Sequence, residues 1–338
     1  MKTRICSCRF VLACLSAILV ARSAFAADAA NPFVGNWALT LPNGAAGWLG
    51  VTEDQGKLSA SILWGGGSVL PVDDVKVDGN TLVVTRLHAA AKKADAAKVV
   101  TTETITATID GDDLKLTTVT SRPGKPDAGK AEFTGKRTPP VGPAPDLSKL
   151  QFGKPIVLFN GKDLEGWKLT DPKAENGWSV IDGVLNNNPV QEPGKPHKHY
   201  GNLRTEQEFE DFNLTLETNV PPQSNSGVYL RGIYEVQILD SFGKPVDSHN
   251  MGAIYSRITP SEAVEKPSGE WQTLDITLVD RHATVILNGK KIIDNQPLLG
   301  CTGGALWSDQ FRPGPIYLQG DHSGANYRNM ILRPVLKQ

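Results

Sequence analysis

The chain has 338 residues, carries 35 Lys and Arg against 36 Asp and Glu, and has a formal net charge of −1. Hydrophobic residues make up 40% of it and charged residues 21%, a mixture that excludes wholesale disorder. With little net charge and no block of like charges, the sequence also disfavours a nucleic-acid binder that works by neutralising phosphates. The length predicts two domains, and the 33 Gly and 23 Pro favour a loop-rich β architecture.

The first 26 residues are predicted to be a secretory signal peptide. Basic residues precede an apolar run, 10–20, that is too short to span a bilayer, and Ala24-Phe25-Ala26 is a small-x-small cleavage signature. An uncleaved anchor is the alternative. Cleavage before Ala27 would give a periplasmic or secreted protein whose one remaining cysteine is Cys301. We therefore expect no intramolecular disulfide, and we interpret that cysteine as a small apolar residue rather than a nucleophile.

A proline-rich linker at 138–148 is predicted to separate two β domains. Four prolines within it remove backbone donors, which excludes a helix or a central strand there. Before the linker, residues 27–137 alternate in short bursts divided by Asp-Gly turns, a pattern that predicts six to eight strands in a small barrel or sandwich. We find no acid/base pair, metal spacing or nucleophile in this part, and we interpret it as an accessory domain.

After the linker, residues 149–338 are predicted to form a two-sheet jelly-roll sandwich. The segment 271–278 alternates cleanly, and 283–293 has the pattern of a hairpin centred on Asn288-Gly289. About ten to twelve strands and no long helix pattern favour this architecture.

One predicted strand of this domain is unusually polar. Glu235 and Gln237 share a face by period-two alternation, and the strand before it offers Tyr229 and Arg231 in the same alternation. Strict alternation sends Asp240 to the apolar face, whereas a bulge would return it to the polar face. Such a row can bind sugar hydroxyls, ligate a cation or shuttle protons. An ordinary solvent-facing strand is the alternative.

Further candidates lie in the loops and near the end of the chain. Gln319 falls on the polar side of a late strand, and His322 begins the loop after it; histidine can act as a base or a ligand near neutral pH. Trp307, in a Gly- and Ser-rich loop, is a candidate pocket wall. His197 and His199 can reach one metal ion from a Pro/Gly-rich loop, although no strong spacing motif supports a metal site there.

Ordered motifs run through most of the second domain. They include Leu158-Phe159-Asn160-Gly161-Lys162-Asp163-Leu164-x-Gly166-Trp167, Asn225-Ser226-Gly227-Val228-Tyr229-Leu230-Arg231-Gly232, Tyr234-Glu235-Val236-Gln237-Ile238-Leu239-Asp240 and Gly314-Pro315-Ile316-x-Leu318-Gln319-x-x-His322. In this order they resemble the bacterial 3-keto-disaccharide hydrolase domain family, over about 155–335. The resemblance implies a concanavalin-like jelly roll and does not extend to 27–145.

The resemblance also implies cleavage of glycosides that are already oxidised to a ketone at sugar C3. The ketone acidifies the C2 proton, so a base can remove it, the C1 aglycone leaves by elimination, and water adds back. This route needs a base near C2 and hydrogen bonds or positive charge on the enediolate oxygens, which a divalent cation can supply. We expect Glu235 and His322 to act as base and acid or as cation ligands. The residues expected to orient the substrate are Tyr229, Arg231, Gln237, Asp240, Trp307 and Gln319.

Two other functions stay open at this point. A non-catalytic carbohydrate-binding module or lectin is one, because a fold alone does not give a function. An ordinary endo-glucanase is the other, but it would have a Glu-x-Asp-x-x-Glu row, and this chain has Gln237 at the middle position and Asp240 at the last, so the catalytic pair is poorly supplied. In each case the expected partner is a carbohydrate, with no nucleic acid and no membrane insertion, and the sequence carries no signal for an oligomeric state.

Overall fold

The computed structural model describes residues 31–90 and 99–336. The signal-peptide prediction for residues 1–26 lies outside this part of the chain. From Phe33 onward the described residues form one compact unit built of three antiparallel sheets, and the prediction of an all-β protein is confirmed. Within the described ranges, no helix has the length and apolar character needed to cross a membrane.

The first sheet has nine strands in the order β4-β3-β2-β1-β9-β8-β7-β6-β5. Its strands are β1 (Gly35–Thr40), β2 (Ala46–Asp54), β3 (Lys57–Trp64), β4 (Leu70–Pro71), β5 (Asp74–Asp78), β6 (Thr81–Ala90), β7 (Val99–Asp110), β8 (Asp113–Arg122) and β9 (Lys125–Thr138). The sheet curls until its two ends approach each other. Val72 N–H donates to the Ala60 carbonyl on β3, and Asp73 N–H donates to the Thr85 carbonyl on β6. The count exceeds the predicted six to eight because a two-residue strand such as β4 shows no alternation.

Two strands of this sheet, β2 and β3, carry buried side chains on both of their faces. Alternation sends Leu49 and Ile62 into the core inside the curl, whereas Trp48 and Leu63 join the core of the jelly roll. Trp48 Nε1–H also donates to the Leu299 carbonyl at 2.9 Å. The first sheet therefore packs directly against the second part of the chain.

The jelly roll consists of an eight-stranded and a five-stranded sheet. The larger has the order β12-β13-β22-β15-β18-β19-β20 with β10 paired to β22, and the smaller has the order β11-β14-β21-β16-β17. The strands are β10 (Ile156–Val157), β11 (Trp167–Leu169), β12 (Trp178–Ile181), β13 (Val184–Asn187), β14 (Leu203–Thr205), β15 (Phe212–Asn219), β16 (Asn225–Leu230), β17 (Tyr234–Leu239), β18 (Gln272–Val279), β19 (His282–Leu287), β20 (Lys290–Pro297), β21 (Tyr317–Leu318) and β22 (Ala325–Pro334). The jelly roll has thirteen strands, compared with the ten to twelve predicted.

The jelly-roll core lies between these two sheets. Leu214 and Ile276 contribute from the larger sheet, and Val228 and Val236 from the smaller one, all of them fully buried. Since successive side chains on a strand point to opposite faces, the residues between them on β16 and β17 lie on the other face of the small sheet. That face carries the polar groups described below.

The proline-rich segment lies against the jelly roll. The Arg281 guanidinium donates to the carbonyls of Pro139 and Pro140, and Asn295 Nδ2 donates to that of Pro145 at 2.8 Å. A 3₁₀ turn, Leu147–Lys149, follows. The placement of a domain boundary at 138–148 stays a prediction.

Candidate active site

A row of three side chains crosses the polar face of the small sheet. Glu235 on β17 lies opposite Tyr229 on β16, which in turn lies opposite Tyr317 on β21. The two phenol rings stack with their centroids 4.0 Å apart and their planes inclined by 9°. This stack is buried and packs beside the carboxyl group.

A glycine makes room for that carboxyl. Gly227, next to Val228 on β16, faces Gln237 across the strand pair, and a Cβ at this position would lie 2.3 Å from Glu235 Oε1. The Glu235 side chain therefore lies over the glycine and is only 3% exposed. Any larger residue at position 227 would displace it.

Burial is the largest influence on the pKa of the Glu235 carboxyl group. It raises the pKa of Glu235 to about 8, while the Tyr229 phenol and the His322 imidazole act in the opposite direction and Asp321 adds to the rise. A carboxyl held mainly protonated at neutral pH can become a base strong enough for a weakly acidic C–H group once it ionises.

His322 lies in the loop after β21 and is half-buried. Its Nδ1 is 2.7 Å from Asp321 Oδ1, and this hydrogen bond is the main reason that its pKa is raised, with burial opposing and the charge of Glu235 contributing. The structure thus brings Glu235 and His322 close enough for each to perturb the pKa of the other.

Two glutamines border the carboxyl group. Gln237 Nε2 donates to the His249 carbonyl at 3.1 Å, and its Oε1 accepts from Ile238 N–H. Gln319 is paired to Gly227 by a backbone hydrogen bond, and its buried Oε1 has no hydrogen-bond partner within the described residues. That oxygen is available to accept from a sugar hydroxyl or to ligate a cation.

Arg231 differs from its sequence-based expectation. The residue has a positive φ of 54°, so the alternation of β16 ends at Leu230 and the guanidinium turns away from the polar face. It donates to the carbonyls of Gln310 and Arg312 and so holds the loop that precedes β21. Its role here is to fix that loop.

Asp240 and Trp307 also lie away from the carboxyl group. No bulge interrupts the pairing of β17 with β16, and Asp240 Oδ2 accepts from Gln223 N–H at 2.8 Å in the turn before β16. Trp307 packs against the jelly-roll core beneath the guanidinium of Arg312, 3.9 Å from its ring centroid. It therefore stabilises a loop instead of lining the polar face.

The remaining sequence candidates can also be placed. Cys301 is buried, burial raises the pKa of its thiol to about 11, and its Sγ–H donates to the Gly47 carbonyl. The rings of His197 and His199 are 5.3 Å apart in a loop. Across residues 31–90 and 99–336, no three His, Cys, Asp or Glu side chains converge on a common point.

Three further residues of this region were not predicted from the sequence. Gly227 lies inside a motif of the second domain, but the need for a glycine there depends on its contact with Glu235 across the strand pair, and Asp321, which bonds to the adjacent His322, stands at an unspecified position of another motif. His249 belongs to the segment that covers the edge of β17, where Gly252 N–H donates to the Gln237 carbonyl. No alternation marks this segment in the sequence.

A cavity of about 750 Å³ lies elsewhere, between β1, β8, β9 and the loop 308–311. It holds no buried carboxyl of raised pKa next to an imidazole, whereas the polar face of the small sheet does. We therefore place the candidate active site on that face.

A family model and several solved structures are similar to part of this chain. The family model of the 3-keto-alpha-glucoside-1,2-lyase-like domain matches residues 154–333. No curated protein sequence matches the chain. Among solved structures, a candidate glycosyl hydrolase of Parabacteroides distasonis ATCC 8503 is 30% identical, covers 57% of this chain and 93% of its own, and has a TM-score of 0.44. A second one from that organism is 22% identical, covering 54% and 94%, with a TM-score of 0.42. The carbohydrate-binding module CBM66 of Bacillus subtilis is 10% identical, covering 49% and 93%, with a TM-score of 0.32.

Proposed function

The chain belongs to the 3-keto-alpha-glucoside-1,2-lyase-like domain family, and we propose that it cleaves 3-keto-glycosides by elimination across C1 and C2. The observation that carries the proposal is the buried carboxyl of Glu235, whose pKa is raised to about 8 beside the imidazole of His322. A C–H next to a ketone is a weak acid, and a base of raised pKa suits its removal.

In this mechanism the ionised Glu235 removes the C2 proton, and the C–H electrons form an enediolate with negative charge on the C3 oxygen. The C3 carbonyl then re-forms, the C2=C3 electron pair becomes a C1=C2 double bond, and the bond from C1 to the aglycone oxygen breaks with its electrons leaving on that oxygen. His322, whose pKa is raised by Asp321, is the acid that protonates the leaving oxygen. Water addition to the unsaturated sugar gives the hydrolysis product.

Neighbouring groups would orient the sugar. The stacked rings of Tyr229 and Tyr317 are each 1% exposed and support the carboxyl group of Glu235 from beside it, while the Oε1 of Gln319 can accept from a sugar hydroxyl. Gln237 is less available because both ends of its amide are already bonded. We assign it to holding the edge segment in place.

A divalent cation fits part of this set. The Oε1 of Gln319 is a hard oxygen donor that would hold such a cation, and Glu235, which the mechanism uses as the base, would add its negative charge from nearby. When bound, it would supply Lewis-acid stabilisation to the C2 and C3 oxygens. Proton removal and leaving-group protonation are carried by the protein side chains in either case.

The test is a product analysis by mass spectrometry on a panel of 3-keto-glucosides and their unoxidised counterparts. We expect turnover of the keto sugars alone, with loss of the C2 proton to solvent when the reaction runs in D₂O. Glu235→Gln should abolish both signals. Binding of unmodified oligosaccharides with no turnover of any keto sugar would refute the proposal and favour a lectin. Turnover of plain β-glucans would favour an ordinary glucanase.

A further inference from the structure

A second constellation of reactive side chains lies outside the polar face, where the first sheet meets the jelly roll. Ser68 Oγ is 2.8 Å from His249 Nε2, and His249 Nδ1 is 2.6 Å from Asp247 Oδ1. The serine belongs to the Gly-rich connection after β3, and the other two residues belong to the segment that covers the edge of β17. The family match begins at residue 154 and so excludes the serine.

The order of these contacts matters for chemistry. When a carboxylate accepts from Nδ1–H of an imidazole, the other nitrogen is left as an acceptor that can take a proton from a hydroxyl. The hydrogen bond to His249 lowers the pKa of Asp247, which keeps this carboxylate ionised. A nucleophile, a base and a group that orients the base are thus in hydrogen-bond contact, which is the signature of an activated serine.

Each member is fixed by further contacts. Asp247 Oδ1 also accepts from His249 N–H at 2.9 Å, and the imidazole packs edge-on against Tyr255 with centroids 5.0 Å apart. Val69 N–H donates to Ser256 Oγ at 2.9 Å, which pins the residue that follows the serine.

The Gly-rich connection is also held from its other side. Gly303 lies so close to Gly67 that a Cβ on it would come within 2.1 Å of the Gly67 carbonyl oxygen, and Gly304 N–H donates to the Gly65 carbonyl. The backbone N–H groups of Gly67 and Ser68 have no hydrogen-bond partner within the described residues. Backbone N–H groups without a partner beside a nucleophile can donate to a developing oxyanion.

We propose that Ser68, His249 and Asp247 form an acyl-transfer site that hydrolyses esters of small acyl groups. Ser68 Oγ bonds to the ester carbonyl carbon while its proton passes to His249 Nε2. The bond to the alcohol oxygen then breaks, and that oxygen takes the proton from Nε2. Water repeats the sequence on the acyl-serine, releases the carboxylic acid and restores the serine.

The surroundings indicate which esters fit. Gly303 against Gly67 limits the space beside the serine, which favours an acetyl-sized group. The carbonyl of His249 accepts a hydrogen bond from Gln237 on the polar face of the small sheet, so the new site adjoins that face. An O-acylated sugar is therefore the substrate class, an assignment that rests on the proposed function, whereas the acyl-transfer chemistry does not.

The experiment uses the full chain, without any keto sugar, so its outcome is independent of the proposed function. The protein is treated with a fluorophosphonate probe and mapped by peptide mass spectrometry, and its hydrolysis of p-nitrophenyl acetate is measured. We expect the label on Ser68 and an acetate-releasing activity that Ser68→Ala abolishes. His249→Gln and Asp247→Asn should each lower both rates at least ~100-fold. Ser59→Ala, an exposed serine on β3, is the matched control and should leave both unchanged.

Thermal unfolding and circular dichroism of each variant separate loss of the site from loss of the fold. A folded wild-type protein that takes no label at Ser68 overturns the proposal. So does a folded His249→Gln variant that is labelled at the wild-type rate, because the serine would then not depend on its base. O-acetylated and unacetylated glucosides, compared as substrates, decide whether the ester is carried on a sugar.

Discussion

Replacing Glu235 with Gln should stabilise the protein while removing its activity. The carboxyl group is 3% exposed and has a pKa raised from 4.5 to about 8 by burial, so ionisation of this group opposes folding. The folded-state pKa lies above the unfolded one. The stability associated with the protonated form is therefore complete below about pH 4.5 and is lost as the pH rises towards about 8.

The size of the effect follows from these two pKa values. One pKa unit corresponds to about 1.4 kcal/mol, so the contribution of Glu235 to wild-type stability should fall by about 3 kcal/mol between pH 4.5 and pH 7, and by about 5 kcal/mol in total by pH 9. The Gln variant has no charge to bury and lacks this dependence. The free energy of unfolding of Glu235→Gln should thus exceed that of the wild type by an amount that grows with pH.

Urea unfolding of both proteins at pH 5, 7 and 9 measures the difference directly, and equal m values would show that the unfolded states are comparable. For the wild type, kcat/KM on a 3-keto-glucoside should rise with pH through about 8 as the base ionises. A stability difference between the two proteins that is the same at pH 5 and pH 9 would contradict a buried carboxyl of raised pKa. It would also remove the main support for the base assignment.

Four further changes test the site and its support. Asp321→Asn should lower the pKa of His322 towards its ordinary value, seen by NMR titration, and move the alkaline limb of the pH–rate profile to lower pH; an unmoved titration would refute the pairing. Gly227→Ala should displace the carboxyl of Glu235 and cut turnover by ~100-fold or more, with a folded circular dichroism spectrum; normal turnover would contradict the contact. Trp48→Ala should cost about 3–5 kcal/mol in urea unfolding, and a loss under 1 kcal/mol would show that the contact between the sheets is weak. Treatment with EDTA should lower turnover and Mg²⁺, Ca²⁺ or Mn²⁺ should restore it, whereas full activity after chelation would show that the side chains act alone.

Much of the fold follows from local patterns. Alternation identified β18, the β19–β20 hairpin and the polar side of β17, because one face of each strand is buried in a shared core. Strands of two residues were not predicted, because two residues are too few to show alternation between apolar and polar side chains. The curl of the first sheet depends on hydrogen bonds between β3, β6 and the residues that connect β4 to β5, which the sequence does not encode as a pattern.

The site was predictable in part, and the roles assigned to its residues stay predictions. Period-two alternation placed Glu235 correctly on the polar face of the small sheet, but the same rule failed for Arg231, where a positive φ ends the strand. A glycine at 227 could not be recognised as necessary until the side chain across the strand pair was seen above it. Ser68 and His249 are 181 residues apart, and no spacing rule joins groups at that separation.

The indole of Trp48 has a consequence for how the chain is made. The ring packs between Gly50 and Gly300, and a Cβ on either glycine would come within 2.2 Å of a ring atom. Its Nε1–H donates to the carbonyl of Leu299, 251 residues further along the chain. At about 5–20 residues per second, a ribosome needs on the order of tens of seconds after Trp48 to synthesise the segment that contains Leu299 and Gly300. Until that segment is made, the indole of Trp48 lacks both its hydrogen-bond partner and the packing of Gly300.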